Sequence, residues 1–330
     1  MNGKIYVINF FVGTILGMFL LTLAISFIPE MDYFDGEYPS WCQQRDYTHI
    51  EGNESQIIFL GDSAFKAAII PELIADNAYN LSLGGAGPLE MYYSLKNYLQ
   101  NHPKPQKVFI SFGPMHFIYL ERYYDRTLYF HFLSPNEQIE SQLNIFNYDN
   151  VALINRPLIL LENIQYMIKF PTKYFQTIKK SELNRGALNI DNYQQVASER
   201  GHMFFGLDSE WFNHYKPHEQ LQVDFKLLKV EDFYMRKLLQ LCLDNDIPVQ
   251  IVQTPVNKFT YETASKHDYF SPYFEYLRSL SREFNINVET ELNIYDVNLF
   301  GDHLHVNEKG AVIFTNKLKD KYISLIHSVD

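Results

Sequence analysis

Three short apolar runs, at residues 56–60, 78–83 and 107–112, each stop at a glycine, and helical stretches separate them. A short apolar run closed by glycine is the pattern of a buried parallel strand. A fourth run at 248–253 and a short fifth near 286–288 follow much later. Stretches apolar at helical spacing surround them at about 230–245, 269–284 and 307–326. Strands alternating with helices require a mostly parallel sheet covered on both faces. Right-handed crossovers then give an α/β fold of flavodoxin-like order, with ligands beyond the carboxyl ends of the strands. Residues from about 115 to 229 break this rhythm. They are dense in Tyr and Phe, with Pro157 and Pro171 bracketing an apolar run. Because strands flank this segment on both sides, it reads as a long, mainly helical insertion whose aromatics pack a core.

Ahead of the first strand, 24 residues from Ile5 to Ile28 carry no charge. About 20 apolar residues cross a hydrocarbon core of ~30 Å. The only basic side chain nearby, Lys4, precedes the span, and Glu30, Asp32, Asp35 and Glu37 follow it. The positive-inside rule therefore puts the N-terminus in the cytoplasm and the rest outside, as a single-pass membrane protein. A cleaved signal peptide competes, with Ala24-Ile25-Ser26 as its site, but its apolar region would be too long. The organisation expected is an anchor at 1–29, an acidic and aromatic linker at 30–53, and one domain at 54–330 holding the insertion.

A formal charge of −11 excludes partners bound by neutralising phosphates, so no nucleic acid is expected. Two cysteines, Cys42 and Cys242, are too few for a structural zinc site. Cys242 lies in an apolar run and reads as a buried thiol, while a bridge between the two stays open in an oxidising compartment. His214 and His218 flank Pro217 and lack the other ligands of a metal site. No metal or cofactor is expected.

Two short strings could carry chemistry. The first strand ends in Gly61-Asp62-Ser63, where a serine at a strand-to-helix corner is exposed at the carboxyl edge of the sheet. The plain alternative is a helix cap, which Asp and Ser favour. The last helix is preceded by Asp302-x-x-His305, close enough for the carboxylate to reach the ring and fix its tautomer. Each string alone is common. Their positions bring Ser63, His305 and Asp302 to the one edge where this architecture binds ligands.

These residues, with the block Asn80-Leu81-Ser82-Leu83-Gly84-Gly85 after the second strand, make the chain resemble the SGNH (GDSL-like) hydrolase superfamily. The resemblance implies Ser63 as nucleophile, His305 as general base and acid, and Asp302 as its orienting partner. It implies the N–H groups of Ser63 and Gly85 as an oxyanion hole. The third block departs from the family: Gly113-Pro114-Met115-His116 stands where Gly-x-Asn is usual, so His116 is a candidate to replace the missing donor. The anchor, the altered third block, the insertion and Thr254-Pro255-Val256-Asn257 are similar to the anchored SGNH proteins of the D-alanyl-lipoteichoic acid and alginate O-acetylation systems. That likeness implies acyl transfer to, or ester hydrolysis on, a cell-envelope polymer beside a polytopic membrane O-acyltransferase. It makes Asn257 a candidate substrate contact, although Pro and Asn also favour plain turns. The class opposed to an enzyme is a catalytically inactive SGNH-like scaffold, which the missing Asn favours.

Overall fold

The computed structural model describes residues 3–52, 54–120, 123–149, 152–206, 210–216 and 219–322. Helix α1 (Gly3–Phe27) has a mean hydropathy of 2.2 over its most apolar stretch. Ile25 is its one buried residue among those described. At 1.5 Å per residue it is ~37 Å long, enough to cross a membrane. Two further helices, α2 (Glu30–Tyr33) and α3 (Tyr38–His49), occupy the stretch that the sequence suggested as linker. Within α3, Trp41 and Gln44 are buried. Gln44 Nε2 donates to the Asn80 carbonyl at 2.7 Å, and Tyr47 stacks on Tyr79 with ring centroids 3.5 Å apart. The aromatics of this stretch pack, and that is why it is helical rather than extended.

The chain divides into two compact units, Met1–Pro39 with Tyr124–Gln194, and Ser40–Tyr123 with Gln195–Asp330. The central part of the expected insertion thus groups with the N-terminal helix, and its flanks belong to the α/β unit. The first unit holds α1, α2, α8 (Pro135–Tyr148), α9 (Arg156–Met167), α10 (Pro171–Ser181) and most of α11 (Gly186–Ser198). Prolines Pro135, Pro157 and Pro171 stand in the first turns of α8, α9 and α10, where a missing N–H costs nothing. The aromatics make a core here: the Phe34 ring lies 4.7–6.2 Å from those of Tyr38, Tyr129, Phe130 and Tyr174. Beside them Glu30 bonds His131 at 2.8 Å and Lys169 at 2.7 Å. Burial alone would raise its carboxyl, but these partners and Tyr38 hold it at about 2.

The second unit is built on a parallel sheet of order β2-β1-β3-β4-β6. Its strands are β1 (Ile57–Gly61), β2 (Ala78–Asn80), β3 (Lys107–Ser111), β4 (Val249–Ile251) and β6 (Asn287–Val288). Renumbered within the sheet this is 2-1-3-4-5, whose direction of winding reverses between β1 and β3; ligand crevices form at such a reversal. A second parallel pair, β5 (Pro255–Asn257) with β7 (Asn293–Tyr295), stands where the sequence suggested a turn. Helices α4 (Ser63–Ala68) and α5 (Pro71–Ile74) are separate because Pro71 cannot continue a helix and keeps Ile70 extended. Then come α6 (Pro88–Asn101) and α7 (Met115–Ile118). After the second half resumes come α12 (Lys229–Asp244), α13 (Lys258–Ala264), α14 (Phe270–Phe284) and α15 (Glu308–Tyr322). The sequence pattern ran α15 on to about residue 326, and positions beyond 322 lie outside the described residues.

Helix α15 packs on α4 and α5, with Phe314 and Leu318 joining Phe59, Phe65 and Phe109 in one core. Burying each such side chain is worth ~1.5–3 kcal/mol. This packing brings the loop ahead of α15 to the start of α4. Cys42 and Cys242 are both buried and unbridged, and burial pushes the Cys242 thiol up to about 12.

Candidate active site

Asp62 turns the chain from β1 into α4. Its Oδ1 accepts the Phe65 N–H at 3.0 Å as an N-cap. Its Oδ2 accepts the Gly113 N–H at 2.7 Å and lies 3.2 Å from His116 Nε2. One carboxylate therefore ties the ends of β1 and β3 together at the point where the sheet reverses. Both side chains are buried. Burial would raise the Asp62 carboxyl, but His116 and the two N–H groups outweigh it and hold it below the usual carboxylate range. His116, a candidate to replace the missing donor, spends its Nε2 on Asp62. Removing one partner of such a buried pair typically costs ~3–5 kcal/mol. Asp62→Ala is therefore expected to destabilise the α/β unit by about that amount. Thermal unfolding of variant and wild type in the same detergent checks this, and an unchanged midpoint contradicts the clamp.

Ser63 follows as the first residue of α4. Its Oγ lies 2.8 Å from His305 Nε2, and His305 Nδ1 lies 2.7 Å from Asp302 Oδ2. Asp302 Oδ1 accepts the N–H groups of Leu304 and His305, each at 2.8 Å, which fixes the carboxylate against the ring. Burial would raise the Asp302 carboxyl, but the His305 ring and these N–H groups hold it lowered. An ionised carboxylate only accepts, so Nδ1 carries the ring hydrogen and Nε2 offers its lone pair to the Ser63 hydroxyl. The two strings that the sequence placed at opposite ends of the domain meet within hydrogen-bond reach.

Gly85 sits at the third position of a turn closed by the Ala86 N–H to the Leu83 carbonyl at 3.2 Å. Its φ of +74° is the value a type II turn requires there, and glycine adopts it without strain. The Leu83 N–H donates to the Gly61 carbonyl at 3.0 Å, fastening this turn beside the strand end that bears Ser63. Among the described residues neither the Ser63 nor the Gly85 N–H has a hydrogen-bond acceptor.

Asn257 is fully buried and its amide is engaged within the protein. Oδ1 caps α13 through the Thr260 N–H at 2.9 Å, and Nδ2 donates to the His303 carbonyl at 2.7 Å. Thr260 Oγ1 donates to the same carbonyl at 2.9 Å. Asn257 thus holds the loop of Asp302 and His305 in place. A cavity of about 70 Å³ adjoins these groups and has Ser63, His116 and Asn257 in its wall.

Several contributors were not singled out in the sequence. Phe205 lays its ring 4.9 Å from that of His305. Gly206, at φ +68°, brings its backbone so near Asp302 that a Cβ would collide with the carboxylate. Both come from a loop with no motif to mark it. Lys66 is fully buried and donates to the carbonyls of Ser82 at 3.1 Å and Gly201 at 2.5 Å. It joins the segment before the Gly85 turn to the segment before Phe205, and burial pulls its ammonium down to about 7. Its spacing from Ser63 is that of Ser-x-x-Lys enzymes, a signal available in the sequence. Its bonds lead elsewhere, and His305 is the base within reach of Ser63. Among the described residues no group of three His, Cys, Asp or Glu could hold a metal, and His218 lies outside them.

No family model and no curated protein matches the chain. Among solved structures, one described as "a putative platelet activating factor from Streptococcus pneumonia" is similar at 14% identity. It covers 92% of this chain and 97% of its own, with a TM-score of 0.36. A likeness at that score carries no weight for fold or activity.

Proposed function

We propose that the chain is an SGNH-type serine enzyme that forms or cleaves carboxylic esters through an acyl-serine. The observation that carries this reading is the continuous hydrogen-bonded run from Asp302 through His305 to Ser63. His305 Nε2 takes the Ser63 proton as Oγ bonds to the acyl carbonyl carbon. Charge on the carbonyl oxygen is met by the N–H groups of Ser63 and Gly85. Collapse expels the leaving alcohol with the proton from His305. Water or a second hydroxyl then enters, gives its proton to His305 and releases the acyl group, restoring the Ser63 hydroxyl.

With α1 as an uncleaved anchor, the domain lies outside the cytoplasmic membrane. The acceptor we infer is a hydroxyl of a cell-envelope polymer, with a polytopic O-acyltransferase as the partner that supplies acyl groups. Hydrolysis of p-nitrophenyl acetate by the full chain in detergent tests the chemistry. A rate equal to that of Ser63→Ala overturns it. Intact mass of the protein recovered from membranes tests the anchor, which is expected to be present; loss of the first 24–26 residues overturns it.

A further inference from the structure

We propose that the cavity beside Ser63 is the acyl pocket, and that it admits an uncharged acyl tail of at most about three carbons while rejecting an aminoacyl group. This rests on the serine-ester reading above and deepens it. The wall is apolar over most of its area, supplied by Met115, Leu221, Val256, Tyr269, Phe270 and Leu304. Tyr269 offers its ring alone, because its hydroxyl is sealed from the space. A sugar acceptor would leave its hydroxyls unpaired against such a wall, whereas a hydrocarbon tail loses nothing there. The cavity is therefore the place of the acyl chain rather than of the acceptor.

Its size sets the chain length. A dry cavity of roughly 150 Å³ accommodates benzene, six carbons. At about 70 Å³ this one has half the room, or about three carbons beyond the carbonyl. Acetyl, propionyl, butyryl and isobutyryl groups fit, and an octanoyl group does not.

Charge is settled by the polar groups in the wall. An ammonium carries three donors and needs acceptors once it leaves water. The Asp62 oxygens already accept from Phe65, Gly113 and His116, and the Asn257 amide oxygen already caps α13. An alanyl group, which matches isobutyryl in size but replaces a methyl with an ammonium, would have to shed its water in a mostly apolar pocket whose one carboxylate, Asp62, already takes three donors.

The experiment uses the full chain in detergent with N-acetylcysteamine thioesters of acetyl, isobutyryl, octanoyl and alanyl groups. Acyl-Ser63 formation is followed by peptide mass spectrometry. The pocket predicts acylation by acetyl and isobutyryl donors at similar rates, and at least tenfold slower acylation by octanoyl and alanyl donors. Phe270→Ala and Met115→Ala each enlarge the cavity. They are expected to raise octanoyl relative to acetyl acylation at least tenfold and to leave the alanyl donor slow. Circular dichroism and the thermal unfolding midpoint report whether each variant is folded. Octanoyl or alanyl acylation as fast as acetyl in the wild type overturns the pocket while leaving the serine chemistry intact. Acylation by none of the four donors overturns both.

Discussion

His305→Ala is expected to slow p-nitrophenyl acetate hydrolysis at least ten-thousand-fold in kcat, with little change in KM. Among the described residues His305 is the one base within reach of the Ser63 hydroxyl, at 2.8 Å, and without it that oxygen stays a neutral, weak nucleophile. Losing the histidine of a comparable Ser-His-Asp site removes most of the chemical rate, because the members act as a unit. Asp302→Asn should cost about ten-thousand-fold as well, for a different reason. An asparagine at that position can present its NH₂ to Nδ1, which moves the ring hydrogen to Nε2 and removes the lone pair facing Ser63. The pair of variants is informative together. A double variant no slower than the worse single one reports residues acting in one step, whereas multiplied losses would mean independent roles. Wild-type rates in either single variant would contradict the mechanism.

Lys66 gives the second large effect, on stability rather than rate. Among the described residues its buried ammonium has no carboxylate partner, and its pKa lies at about 7 against an ordinary 10.5. Below pH 7 the group is charged in folded and unfolded chains alike, and the full cost of burying the charge is present. Between pH 7 and 10.5 the unfolded chain holds a proton that the folded chain lacks, so stability rises with pH across that window. At about 1.4 kcal/mol per pH unit the total gain is roughly 5 kcal/mol. Thermal unfolding in detergent from pH 6 to 10 should show the midpoint climbing above pH 7. Lys66→Met should flatten that climb. The variant also leaves the Ser82 and Gly201 carbonyls without their donor, so the slope and not the absolute midpoint is the readout. The same slope in both proteins would contradict a buried, charge-penalised lysine.

Much of this molecule could be read from local patterns. Three strands of the five-stranded sheet lie within apolar runs that stop at a glycine, so their positions followed from period and punctuation, although β2 ends at Asn80, short of its run. Ser63, Asp302 and His305 were legible because each stands at an element boundary whose place in an α/β sheet is constrained. What escaped was set by contacts distant in sequence. Residues 30–53 have the composition of a linker, yet Trp41 and Gln44 in α3 are buried. Pro255–Asn257 has turn-forming residues, yet pairing with β7 draws it into a strand. Asp62 was visible as a cap, but nothing local announced that its second oxygen would hold Gly113 and His116 across the sheet. Phe205 and Gly206 reach Asp302 and His305 across about a hundred residues, with no periodicity to mark them.

The most direct test of the account is labelling of the full chain in detergent with a fluorophosphonate, followed by peptide mass spectrometry. The arrangement at 2.7 and 2.8 Å predicts one adduct, on Ser63, that is absent from Ser63→Ala and His305→Ala. A folded wild-type protein that takes no label, or takes it on another residue, would contradict Ser63 as an activated nucleophile and favour a scaffold that keeps the site without using it.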